Sequence, residues 1–284
     1  MKLLWLLGAV VAFLGCADPD PGPPTGDCPA NAVTNAAHRG TGVNTADNPF
    51  PENTLEAFAQ GKVEGAQMIE LDVVHSLDGA LMVIHDPTVD RTTDGTGCVG
   101  DLTEAELKQL DAAVGTPLEG TGVTIPTLDE VLASTDLGVN IEIKVHTGSC
   151  STTDRARAAA DVVAAIHADT TGRRFVVSSF DADVLSDVQD LDPSLYLGLL
   201  TLVPDDAALA ESRGFDSLNV LSVNVRDAVD ADAIRAHGLD VVVWTENDPV
   251  NIDNHFTTGV DMIITDEPDR VEAGRVAWCE RNGY

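Results

Sequence analysis

The sequence predicts an α/β fold of the TIM (β/α)8 barrel class, with a β-hairpin arm after the second strand and an insertion on the top face. Three observations carry that expectation. From Asn31 onward, short runs rich in Val, Ile and Leu recur along the chain, as strands buried on both faces should. Most are separated by amphipathic stretches opening on Asp, Ser or Thr, residues whose side chains accept backbone N–H bonds at helix N-termini. The chain has 284 residues, 44% of them hydrophobic, which suits one such barrel of roughly 250 residues.

The expected strands are Ala32–Ala37, Gln67–Val74, Leu81–Ile84, Val139–Val145, Arg174–Ser178, Leu195–Leu200, Ser217–Val223, Leu239–Trp244 and Val260–Ile264. Helical stretches between them include Thr54–Glu64, Thr153–Ala168, Asp181–Asp190, Asp205–Arg213, Asp227–His237 and Pro268–Cys279. Nine strands are one too many for the barrel. Only His75-Ser76-Leu77-Asp78-Gly79-Ala80 separates the second from the third, too short for a helical crossover, so this pair is a hairpin turning at Asp78-Gly79. The other eight alternate with helices and close into the barrel. Residues from about 86 to 125 lack the rhythm and carry many Gly and Thr; they form the insertion.

The N-terminus is a targeting segment. Lys2 precedes an apolar run from Leu3 to Leu14, which fits a signal-peptide core and is short for a membrane span. It ends in Leu14-Gly15-Cys16, which resembles a bacterial lipobox with Cys16 as the acylated residue, although Phe13 is unusual there. Residues 1–16 are thus the signal segment, 17–30 a Pro/Gly-rich tether, and 31–284 the barrel. The protein is expected to be exported and membrane-anchored as a bacterial lipoprotein, touching membrane only through that anchor. The formal charge is −31, from 16 basic and 47 acidic residues. Such a surface repels nucleic acid and anionic head groups.

Four further cysteines remain: Cys28, Cys98, Cys150 and Cys279. An even number in an exported chain suggests two disulfides, with three pairings open. No CxxC or Cys/His cluster indicates zinc. Cys98 lies in the insertion and Cys150 just past the Glu142 strand, while Cys28 and Cys279 flank the first and last barrel units. Bridged Cα atoms must come within about 7 Å, so proximity favours Cys98–Cys150 and Cys28–Cys279.

Chemistry gathers at the ends of the early strands. The first runs into His38-Arg39-Gly40, the second carries Glu70 and Asp72, the hairpin return ends in His85-Asp86, and the next carries Glu142 and Lys144. Strand alternation puts Glu70 with Asp72, and Glu142 with Lys144, on one face. Inward carboxylates are costly unless compensated. A hard divalent cation, Ca²⁺ or Mg²⁺, matches an all-oxygen set of three. A hairpin centred on Asp78-Gly79 pairs residues whose numbers sum to roughly 155–157, setting His85 across from Glu70. His38 approaches from the neighbouring strand. Two histidines beside a cation can exchange protons near neutral pH, and Arg39 and Lys144 supply charge for an anionic tetrahedral group.

These fragments, in this order, resemble the glycerophosphodiester phosphodiesterase family. The resemblance rests on Ala37-His38-Arg39-Gly40, Pro51-Glu52-Asn53-Thr54, Ile69-Glu70-Leu71-Asp72-Val73, His85-Asp86, Arg91-Thr92-Thr93, Ile125-Pro126-Thr127-Leu128, Ile141-Glu142-Ile143-Lys144, Trp244-Thr245 and Ile264-Thr265-Asp266. It covers nearly everything from Ala36 to Arg270. It implies His38 and His85 as acid–base pair, Glu70, Asp72 and Glu142 as metal ligands, and Arg39 and Lys144 as phosphate contacts. Glu52 matches a recurrent glutamate, equally well explained as early acidic charge at a helix N-terminus. Trp244 walls the glycerol pocket or belongs to the barrel core, the core being the stronger reading. The implied reaction is metal-dependent hydrolysis of a glycerophosphodiester to sn-glycerol 3-phosphate and an alcohol. The alternatives are a sphingomyelinase D-like phospholipase on the same fold and a catalytically inactive surface binding protein.

Overall fold

A computed structural model describes residues 27–150 and 154–284. The expected signal segment, Cys16 and tether residues 17–26 lie outside the described residues. Among the described residues no helix is long and apolar enough to cross a membrane.

The strands are β1 (Thr34–His38), β2 (Met68–His75), β3 (Leu81–Val83), β4 (Gly138–Ile143), β5 (Phe175–Ser179), β6 (Tyr196–Thr201), β7 (Ser217–Leu221), β8 (Asp240–Trp244) and β9 (Met262–Thr265). The helices are α1 (Leu55–Val63), α2 (Glu104–Leu107), α3 (Leu128–Ser134), α4 (Arg155–Ala168), α5 (Ala182–Leu191), α6 (Ala207–Arg213), α7 (Ala228–Arg235), α8 (Pro249–Thr258) and α9 (Pro268–Arg281). Sheet order is β1-β9-β8-β7-β6-β5-β4-β2-β3, and β1 also pairs with β2. Eight parallel strands therefore close a TIM barrel, and β3 lies outside it, antiparallel to β2.

The hairpin register is as expected along its length but not at its tip. Val73 pairs with Val83, Val74 with Met82 and His75 with Leu81, a sum of 156. One more bond follows, from Ile84 N to Asp72 O at 3.0 Å. Continuing this register sets His85 level with Leu71, not Glu70. His85 lies past the paired strand, in the loop entering the insertion.

Three apolar clusters hold these layers. Outward strand residues such as Ile69, Ile141, Leu218 and Val241 pack beneath the helices. The barrel interior is closed by Ala36, Met68, Val176, Val242, Met262 and Ile264. The insertion has its own core, in which Val89, Val99, Leu107, Val123 and Ile125 pack on Val74 and Met82 of the hairpin. It is therefore a packed cap and not a loose loop. Both expected disulfides are present, with Cα separations of 5.7 Å for Cys28–Cys279 and 5.3 Å for Cys98–Cys150. The first joins the start of the described chain to α9; the second fastens the cap to the loop after β4.

Candidate active site

The C-terminal ends of β1, β2 and β4 carry a buried charged network. Gly40, at φ +95°, turns the chain after β1; a Cβ there would stand 2.5 Å from that of Ala57, so only glycine lets α1 approach this turn. Arg39, also at positive φ, donates its backbone N–H to Glu70 Oε2 at 3.0 Å. Its guanidinium donates to Glu52 Oε1 at 3.0 Å and stands 3.5 Å from Asp72 Oδ2. Asn53 donates Nδ2 to Asp72 Oδ2 at 2.8 Å. Lys144, the first residue after β4, reaches Asp72 Oδ1 at 2.9 Å and Glu142 Oε1 at 2.6 Å.

Glu70, Asp72 and Glu142 are all buried, and each offers an oxygen within 4.8 Å of the others'. Arg39 and Lys144 do not fully balance their charge. Burial, reinforced by Asp72 and Glu70, pushes the Glu142 carboxyl up to about 8 despite Lys144. Burial and Asp72 likewise raise Glu70. For Asp72 burial is outweighed by Lys144 and Arg39, which hold it well below the usual carboxylate range. A surplus of negative charge on three convergent hard oxygens is the condition a divalent cation relieves, so the cluster fits a metal of that kind.

Two histidines flank the cluster, each braced by an aspartate. His38 Nδ1 donates to Asp266 Oδ1 at 2.6 Å. Asp266 follows β9 and accepts from Asn247 Nδ2 at 2.7 Å. Burial works against the charged imidazole, but the Asp266 hydrogen bond and the nearby Glu70 outweigh it, and His38 is raised. His85 Nδ1 donates to Asp86 Oδ1 at 2.6 Å, and Arg91 Nε donates to Asp86 Oδ2 at 2.7 Å. Arg91 also donates to both oxygens of Glu52, at 2.7 Å each. In both rings the carboxylate engages Nδ1, not Nε2.

Glu52 is thus not a helix cap. Thr54 caps α1, accepting from Ala57 N. Glu52 is buried between Arg39 and Arg91, linking the β1 turn to the cap. Trp244 packs against the interior cluster and also lines the pocket. It is partly exposed and meets Phe180 edge to face, centroids 5.5 Å apart, while its Nε1 donates to Asn219 O at 2.8 Å. One pocket brings together His38, Arg39, Glu70, His85, Glu142 and Lys144 with Phe180 and Trp244 on its far wall. Sequence reasoning assigned no part to Asp266, Asn247, Arg91, Asn53 or Phe180. Asp86 pairs with its neighbour His85, whereas Arg91 and Asp266 meet Glu52 and His38 from distant parts of the chain.

A closed parallel barrel with acid–base groups and a carboxylate cluster at its strand ends is a barrel enzyme. Residues 38–270 match the model of the glycerophosphoryl diester phosphodiesterase family, and the chain belongs to that family of phosphodiester hydrolases. It is 36% identical over 242 residues to the glycerophosphodiester phosphodiesterase of Caldanaerobacter subterraneus subsp. tengcongensis, covering 83% of this chain and 94% of that protein. It is 35% identical over 244 residues to the Bacillus altitudinis glycerophosphodiester phosphodiesterase, covering 83% and 95%. Among solved structures, an Oleispira antarctica phosphodiesterase in complex with the product sn-glycerol-3-phosphate superposes with a TM-score of 0.75 at 27% identity, covering 86% of this chain and 98% of that one.

Proposed function

We propose that the chain hydrolyses glycerophosphodiesters to sn-glycerol 3-phosphate and an alcohol, using one divalent cation and the His38–His85 pair. The observation that carries this reading is the buried Glu70–Asp72–Glu142 cluster, of which Glu70 and Glu142 line one pocket with both aspartate-braced histidines. The product in the Oleispira antarctica relative supports the choice of substrate.

Glu70, Asp72 and Glu142 would hold Ca²⁺ or Mg²⁺. Bound there, the cation supplies positive charge for a phosphoryl oxygen and for charge developing on the reacting phosphate. Lys144 and Arg39 hold the remaining phosphate oxygens, and Glu52 aims Arg39 by its 3.0 Å hydrogen bond. One histidine removes the proton of the nucleophile, water or the substrate's own glycerol hydroxyl, through Nε2; the other protonates the leaving alkoxide. Asp266 and Asp86 hold the rings in the required orientation. Phe180 and Trp244 give the glycerol carbons an apolar wall.

We also propose export and N-terminal lipidation at Cys16. The two disulfides support an oxidising compartment, and the sequence of residues 1–16 supports the anchor. Turnover of glycerophosphocholine, measured with and without chelator, tests the central reading. Release of sn-glycerol 3-phosphate that stops in chelator is expected; undiminished release in chelator would remove the metal from the proposal.

A further inference from the structure

His85 is held differently from the other groups of the site. It lies past the paired residues of β3, outside the barrel strands. The segment that follows it is fixed by the cap. Val89 N donates to Gly97 O and Val99 N to Pro87 O, each at 3.0 Å, and Thr88 pairs antiparallel with Cys98. Cys98 therefore sits opposite a residue only three positions past His85. Its disulfide partner, Cys150, belongs to the loop after β4, which begins at Lys144. Lys144 N still donates to Val73 O at 3.3 Å, but Thr147, Gly148 and Ser149 are exposed. His85 and Lys144 line the same pocket. The bond thus joins the two loops that bring an acid–base group and a phosphate contact to the site. Glu70, Asp72 and Glu142 lie within β2 and β4 and do not depend on it. The two disulfides also differ in their surroundings. Cys28 is buried in the main apolar cluster and Cys279 packs against it. Cys98 and Cys150 are partly exposed and join no apolar cluster among the described residues.

We infer that the Cys98–Cys150 bond positions His85 for catalysis, and that its opening by a dithiol turns the reaction down while the barrel and the carboxylate cluster stay in place. The inference rests on the phosphodiesterase reading above. Closed, the bond holds the cap segment that carries His85 against the Lys144 loop, at a fixed distance from the reacting phosphate. Open, the cap keeps its own core and the Glu52–Arg91 pair but loses its covalent tie to the β4 side of the mouth. A displacement of about 1 Å at a reacting group costs about 10²-fold in rate. The chemistry of opening is thiol–disulfide exchange. One thiolate of the dithiol attacks a sulfur of the bond, forming a mixed disulfide and releasing the other cysteine. The second thiol then displaces the remaining cysteine. Two electrons and two protons pass to Cys98 and Cys150, and the reductant leaves as a cyclic disulfide. Access governs the attack, so this bond opens before Cys28–Cys279.

Folded enzyme is treated with dithiothreitol, its thiols are alkylated and located by peptide mass, and glycerophosphocholine turnover is followed. Expected is alkylation at Cys98 and Cys150 before Cys28 and Cys279, with kcat lowered by about 10- to 100-fold. Cation binding by calorimetry should be unchanged, and a parallel sample without alkylation should regain its rate on reoxidation. The Cys98→Ser, Cys150→Ser double variant should show the same lowered kcat. In a His85→Ala background, opening the bond should cost less than about twofold, because groups that act as a unit are not additive. A bond that served the barrel as a whole would cost the same factor in both backgrounds. Normal turnover by the oxidised enzyme that is unchanged with the bond open overturns the inference alone. So does an equal loss with and without His85, and so does reduction of Cys28–Cys279 first. Absence of turnover by the oxidised enzyme overturns the phosphodiesterase reading and this one with it. Should the double variant fail to fold, reduction of the unaltered and His85→Ala proteins decides by the same criteria.

Discussion

The two halves of the barrel mouth are built on opposite principles. Strands β1, β2 and β4 bring buried charges that lean on one another, Asp72 on Lys144 and Arg39 and Arg39 on Glu52, and the cap continues the chain to the surface through Arg91 and Asp86. Strands β5 to β7 are followed by Phe180, Leu202, Val203 and Val223, and β8 ends in Trp244, side chains with few polar obligations. Removing one partner of a buried charge pair leaves the other uncompensated, typically at a cost of about 3–5 kcal/mol. Trimming an exposed apolar side chain usually costs no more than about 0.5 kcal/mol. The charged groups are therefore concentrated where the structure is most interdependent, and the exposed apolar ones where it is least so.

The largest expected effect tests the charged half as a metal site. Chelation should abolish turnover, and Ca²⁺ or Mg²⁺ should restore it. Glu70→Gln keeps the shape and still accepts from the Arg39 N–H, but should lose the metal and the activity while the circular dichroism spectrum stays native. A fully active Glu70→Gln enzyme would dissolve the contrast between the halves.

His38→Ala and His85→Ala come next. Each should lower the catalytic rate by about 10²–10⁴, the range for acid–base groups, with metal binding measured by calorimetry largely intact. A near-normal rate in either would make that ring structural.

Stability against pH sharpens the comparison further. Glu70 and Glu142 are raised in the folded state without metal, Glu142 to about 8. The fold then binds more protons than the unfolded chain, so stability falls as pH rises from the ordinary glutamate value of about 4.3 toward about 8. Urea denaturation of metal-free protein across that window should show the fall, and added cation should cancel it. A metal-free profile that rises through the window would mean that Lys144 and Arg39 already balance the cluster.

Asp266→Asn gives a smaller, directional effect. Asp266 is the chief group raising His38, so the limb of the pH–kcat/KM profile belonging to His38 should move to lower pH, the other limb staying in place. An unmoved profile would detach Asp266 from catalysis. The smallest change belongs to the apolar half: Val223→Ser should alter stability by less than about 0.5 kcal/mol in the same denaturation assay and leave glycerophosphocholine turnover intact.

Much was settled by sequence alone, because local patterns carry it. Val- and Ile-rich runs with capped helices between them specify the barrel. The six residues between β2 and β3 force a hairpin, and alternation along a strand aligns Glu70 with Asp72. His38, His85, Glu142 and Lys144 were legible for the same reason: each lies at, or within two residues of, the end of a strand that periodicity locates. Both disulfides followed from the order of elements around a closed barrel. What only tertiary structure decided are relations between residues far apart in the chain. Asp266 meets His38 across 228 positions because β9 closes onto β1. Glu52 exchanges a helix-end role for an ion pair because the insertion folds into a cap that delivers Arg91. Phe180 meets Trp244 because β5 and β8 curve to face one another across the mouth. No local period encodes such meetings; they come from closing the sheet and packing the cap.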